Sequence, residues 1–171
     1  TVDEALHLGN EALEKQHHKI ESIPVGDAKG YVLAEDVLAP TDVPAFHKSA
    51  MDGYALAYEP SCDEYIVDGI IGAGVVWDKT VATGHAVRIM TGAPVPSTCD
   101  TVIMQEQVTG TGEIGSIITI QGNQKKGSHI IPCGEECTAG TVVIPKGTEI
   151  TSTVQTILTG LGYTDVSVYA M

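Results

Sequence analysis

Asp52 is the residue of this sequence best suited to chemistry. It stands in a run of small residues, Ser49-Ala50-Met51-Asp52-Gly53-Tyr54-Ala55, that reads as a turn delivering one carboxylate at a bend. Such a carboxylate can hold a hydrated Mg²⁺ or orient a water. Gly53 beside it allows a positive φ or the close approach of a ligand to the backbone. A second small-residue turn, Met90-Thr91-Gly92-Ala93-Pro94, carries a threonine hydroxyl able to bond an oxyanion. By residue type alone, an Asp-Gly pair is also the ordinary content of a surface turn.

Strands must position both turns. Tyr54, Leu56 and Tyr58 share one face of a period-two segment, with Ala55 and Ala57 on the other. Ala86 to Met90 reads as a strand leading directly into the Thr91 turn. Tyr65 to Ile71 alternates, Thr101 to Gln105 is apolar, and the glycines at 110, 112 and 115 punctuate a hairpin whose second arm is Ile117 to Ile120. Trp77 reads as filler for a small barrel core. The outer parts of the chain differ in texture. Thr1 and Glu4 read as a capping box for a helix expected from Val2 to His18. Ile20 to Val25 and Tyr31 to Ala39 read as strands, the second bounded by Pro40. After the Thr141 to Ile144 strand, Thr151 caps a helix carrying Val154, Ile157, Leu158 and Leu161, with Gly162 as its stop. Thr164 to Tyr169 closes as a strand. The fold class expected is α+β, predominantly β. Residues 1–44 and 137–171 would make a helical and stranded body, with 45–136 inserted as a β-rich, barrel-like lobe.

Composition excludes several functions. Aspartate and glutamate number 22 against nine lysines and arginines, a formal charge of −13, which repels nucleic acid and anionic membranes. No apolar run approaches the roughly 18 residues of a membrane span, and no charged-then-apolar leader opens the chain, so a cytoplasmic location is expected. Arg88 is the sole arginine. Phosphate-bearing ligands are usually clamped by guanidinium forks or helix N-termini, and this chain is poor in both. Cys62, Cys99, Cys133 and Cys137 form no C-x-x-C pair and read as reduced thiols. His47, His85 and His129 are isolated and read as surface or locally bonded side chains. Lys125-Lys126, the one adjacent basic pair, reads as a solvated turn.

Two blocks carry a family resemblance. Ser49 to Ala55, following Asp42-Val43-Pro44-Ala45-Phe46, resembles the signature of the MoeA family, the molybdopterin molybdenumtransferases that include the gephyrin E domain. Arg88-Ile89-Met90-Thr91-Gly92-Ala93-Pro94-Val95-Pro96, then Asp100 to Glu106, resembles its second block. The similarity covers the whole chain but only the N-terminal part of the family's usual polypeptide. It implies insertion of molybdate into adenylylated molybdopterin, with Mg²⁺, in a homodimer whose cleft is lined by Asp52 and Thr91. Glu136 would be a further catalytic carboxylate, and Ser49, Met51, Gly53 and Gly92 would contact the molybdopterin. Asp52 would also be the metal ligand.

The chain departs from the family twice. Where Asn-(Ile/Val)-Arg-Arg-x-Gly-Glu-Asp is typical, it has His129-Ile130-Ile131-Pro132-Cys133-Gly134-Glu135-Glu136, so Ile131 and Pro132 replace two guanidinium groups. The family's Thr-Gly-Asp-Glu and Gly-Gly-x-Ser motifs of an α/β domain do not occur in these residues either. Two readings follow. The chain is the two-domain N-terminal portion of a MoeA-type protein, inert alone, or a non-catalytic binding or assembly module that kept the fold. An unrelated β-rich carbohydrate- or peptide-binding domain would have to explain both blocks as coincidence.

Overall fold

In the computed structural model, residues 1–2, 6–7 and 19–170 are described. Most of the helix expected from Val2 to His18 lies outside them. The chain divides into two compact units, Thr1–Pro40 with Gly140–Met171, and Thr41–Ala139. The first unit opens with strands β1 (Ile20–Pro24), β2 (Val32–Leu33) and β3 (Val37–Leu38). The second contains β4 (Lys48–Ser49), β5 (Gly53–Leu56), β6 (Glu64–Ile71) and β7 (His85–Ile89), then β8 (Thr101–Met104), β9 (Val108–Thr109), β10 (Ile117–Ile120) and β11 (Ile130–Ile131). The chain returns to the first unit through β12 (Val142–Ile144), helix α1 (Ser152–Gly160) and β13 (Asp165–Tyr169). The fold is predominantly β.

In the first unit, β13 runs antiparallel between β1 and β2, and β12 pairs with β3. The Thr151 hydroxyl caps α1 by accepting the Val154 amide at 3.3 Å, and Gly162 follows its end with φ +86°. That left-handed position is one a residue with a Cβ enters only at a cost. Leu158 is fully buried against Val25, Leu33, Ile150 and Val168, with Val154 and Leu161 packed around them. Ile157, expected on that face, is 39% exposed, so the apolar stripe is narrower than the spacing implied. The single strand expected from Tyr31 to Ala39 is broken into β2 and β3. Glu35 and Asp36 are exposed at the break, and the Asp36 carboxylate accepts the Lys146 amide at 2.7 Å. A short carboxylate that takes a backbone donor competes with the ladder and bends the chain away from it.

The second unit is built on a six-stranded sheet in the order β8-β5-β7-β6-β10-β9, in which β6 and β7 are parallel and the other pairs antiparallel. Every residue of β5 is buried because the sheet is covered on both faces. Tyr54 and Leu56 enter one cluster with Tyr65, Val67 and Ile103, while Ala55 enters another with Ile71, Val87, Ile89 and Val102. Period two is therefore real in this strand, with an apolar layer on each side. Trp77 packs against the second cluster. Gly53 has no positive φ. A Cβ there would collide with the carbonyl oxygen of Ile103 on β8, so the neighbouring strand imposes the glycine.

The segments entering and leaving this unit run side by side. The Val43 amide donates to the Cys137 carbonyl at 2.8 Å, and the Cys137 and Glu136 amides both donate to the Val43 carbonyl, at 3.2 and 2.9 Å. The Asp42 carboxylate accepts the Ala139 amide at 2.8 Å and the Cys133 thiol at 3.4 Å. All four cysteines are free thiols. Gly53→Ala is expected to lower unfolding stability by about 3 kcal/mol, the upper range for overpacking, because the opposing atom is backbone and cannot rotate away. Urea denaturation of the purified chain measures this.

Candidate functional site

The site begins with a strand too short to be stable alone. β4 is held by β11, with Ser49 opposite Ile130 and Lys48 opposite Ile131. On its other side the Ser49 amide donates to the Ala93 carbonyl at 2.9 Å, and the Gly92 amide donates back to the Ser49 carbonyl at 2.8 Å. The Ala50 amide donates to the His129 carbonyl at 2.9 Å, and the Gln105 amide to the Asp52 carbonyl at 3.1 Å. The bend that carries Asp52 is thus tied by its backbone to three separate segments.

Its side chain closes on the first of these segments, at Thr91. The Thr91 amide and the Thr91 hydroxyl both donate to Asp52 Oδ1, at 2.7 and 2.6 Å. Bonds this short are typical of an ionised acceptor. They hold the Asp52 carboxyl below its ordinary pKa of 3.8: the hydroxyl has the largest effect, then the amide, with slight desolvation opposing and the charge of Arg88 assisting. Both bonds fall on Oδ1, and Oδ2 takes neither. The Thr91 proton is committed to Asp52, so this hydroxyl faces a ligand as an acceptor rather than as the oxyanion donor that residue type suggested.

The structure brings Asp52 and Thr91 together at the surface, with Gly92 exposed beside them and Met51 40% exposed. Ser49 and Gly53 are buried. Glu136 meets the bend at Lys48, whose Nζ lies 3.8 Å from its Oε1. With Glu136 65% exposed, that pair contributes little to stability. Lys48 and Arg88, the cationic neighbours of the site, were not singled out as site residues from sequence. The available signals were adjacency to Ser49 for one and the start of the second motif block for the other.

A concavity of about 360 Å³ in the same unit is walled by Val95, Pro96, Cys99, Ile130 and Pro132. Its His47 and Asp100 side chains are already engaged. His47 Nδ1 accepts the Cys133 amide at 3.1 Å. Asp100 accepts the Tyr58 amide at 3.0 Å and the Thr101 hydroxyl at 2.8 Å, and pairs with Lys126 at 2.9 Å. Partial burial pushes the Asp100 pKa up, but those partners outweigh it and hold the group low. One lysine of the adjacent basic pair is therefore an internal counter-ion. Burial drives the Cys99 thiol up to about 12, which leaves it unreactive. Among the described residues, no group of three or more His, Cys, Asp or Glu side chains is arranged to hold a metal, and no helix is long and apolar enough to cross a membrane.

The structure thus offers a fixed carboxylate at a surface turn of a β-rich, two-unit chain. The family model described as the MoeA N-terminal region, domains I and II, matches residues 1–162, and the chain belongs to that family, one of molybdenum cofactor biosynthesis. It is 40% identical over 163 residues to a molybdopterin molybdenumtransferase of Staphylococcus epidermidis, covering 90% of this chain and 38% of that protein. A Staphylococcus aureus protein of the same name is 41% identical over 145 residues, covering 81% and 34%. A solved molybdopterin biosynthesis MoeA protein from Pyrococcus horikoshii OT3 superposes with a TM-score of 0.74 at 34% identity, covering 90% of this chain and 41% of that one. The chain spans less than two-fifths of the length of these Staphylococcus proteins.

Thr91→Val removes the hydroxyl donor and keeps the amide. The Asp52 pKa is expected to rise toward 3.8 without reaching it, as followed by carboxyl ¹³C titration. A folded-state pKa below the unfolded one stabilises the fold in full above about pH 5 and progressively less as pH falls through the folded value. That acid-sensitive component shrinks in the variant.

Proposed function

We propose that this chain supplies one wall of the site at which molybdate is inserted into adenylylated molybdopterin. The observation that carries the reading is the exposed Asp52 carboxylate, fixed in place by two donors from Thr91. Asp52 and Thr91 are the reacting face, with Glu136 a second carboxylate. Met51 and Gly92 are the exposed contacts for the molybdopterin, with Ser49 and Gly53 beneath them. Asp52 fits a hydrated Mg²⁺ by donor chemistry. An exposed, ionised oxygen suffices for an ion that keeps much of its water and takes other ligands from substrate phosphate. Bound there, Mg²⁺ would offset negative charge on the phosphate. The protein's own part is to fix Asp52 in place and to orient water or substrate there.

The same reading takes a cytoplasmic homodimer, with residues 1–44 and 137–171 as the body and 45–136 as the inserted lobe. It also takes the chain as inert alone. Arg88 is its sole arginine, so the isolated protein is expected to bind molybdopterin more weakly than micromolar. A non-catalytic assembly module is the second reading, favoured by Ile131 and Pro132 at the positions of the family's arginine pair and by the −13 charge.

A chimera separates them. This chain replaces the matching region of the Staphylococcus epidermidis relative, and molybdate insertion is assayed. The enzyme reading expects activity in the chimera and a loss of about 10²-fold or more with Asp52→Asn, the scale of removing one essential acid–base or electrostatic group. If the unmutated chimera is folded yet no more active than its Asp52→Asn form, the module reading stands instead.

A further inference from the structure

Ser49 has no exposed surface and, with Thr101, is one of the buried polar residues among those described. A buried hydroxyl is costly unless bonded. Ser49 Oγ donates to the Met51 carbonyl at 2.6 Å and lies 3.4 Å from the Met51 amide, closing a three-residue turn whose next residue is Asp52. Its backbone is bonded in both directions to Gly92 and Ala93, which directly follow Thr91. Behind it, β11 occupies the remaining side. We infer that Ser49 is a positioning residue that sets the approach of Asp52 to Thr91 and touches no ligand. The hydroxyl fixes the path from β4 to Asp52, while the paired amides fix the Thr91 turn against the same residue. One buried residue, by its hydroxyl on one side and its backbone on the other, therefore registers two loops whose acidic and hydroxyl groups lie 39 residues apart in sequence.

This role rests on the proposed function only in treating Asp52 and Thr91 as the site, and its test needs no substrate. In the intact chain, the Thr91 amide proton reports its bond to Asp52 through a downfield shift and slow exchange. In Ser49→Ala the shift is expected to move upfield and exchange to quicken by about three- to tenfold, the worth of one net hydrogen bond. Amides of the β5–β7 ladder serve as the control and are expected to hold. An unchanged Thr91 signal overturns the inference. So does a uniform change across Thr91 and the ladder, which would mark a merely structural residue. Should Ser49→Ala fail to fold, Ser49→Thr and Ser49→Val, matched in shape and differing by the hydroxyl, decide the matter. The threonine form must keep the Thr91 signature and the valine form must lose it, and equal behaviour overturns the proposal. Loss of insertion activity in the chimera with an intact Thr91 signature would count against the proposed function and leave this role standing.

Discussion

Two donors from one residue converge on a single carboxylate oxygen, and the site is organised around that junction. Thr91 contributes its amide by virtue of backbone position and its hydroxyl by virtue of residue type. Only proline at position 91 would remove the amide, so with any other residue there the turn keeps a minimum hold on Asp52. The hydroxyl adds charge-assisted strength and a defined lone-pair direction outward. A carboxylate held in this way is fixed without being buried, and Asp52 remains at the surface, where a ligand can reach it.

The sheet beneath explains why the junction can be small. β5 leaves the Asp52 bend and β7 arrives at the Thr91 turn, and the two strands are adjacent and antiparallel, with Gly53 opposite Ile89. Once that pairing forms, the two functional groups emerge from the same end of the same ladder. Gly53 allows β8 to close against β5 at the point where a side chain would obstruct it. The motif's glycine thus serves the scaffold, and the motif's aspartate is what the scaffold presents.

How much of this was legible in the sequence depends on range. Helix α1 was visible because its cap at Thr151, its apolar positions and its stop at Gly162 lie within a dozen residues. Strands β5 to β8 were visible from alternation and β-branched content. The break between β2 and β3 was not, because the Asp36 carboxylate that causes it is satisfied by the amide of Lys146, far along the chain. The parallel pairing of β6 with β7 was equally hidden. For the site, Asp52 and Thr91 could be named together only through resemblance. Composition gives no reason to join two turns 39 residues apart, nor to make Lys126 the counter-ion of Asp100.

The neck of the second unit bears on how such a fold assembles. Asp42, Val43, Cys137 and Ala139 fasten the outgoing and returning segments to one another. Seen from the remainder of the chain, the long excursion between them is then no different from a tight turn. The entropy of joining its distant ends is borne by the neck itself, and the host strands can pair as though they were near neighbours in sequence. Length inserted beyond that point adds almost nothing to the difficulty of closing the host, so the excursion is free to vary in size while the joint stays the same.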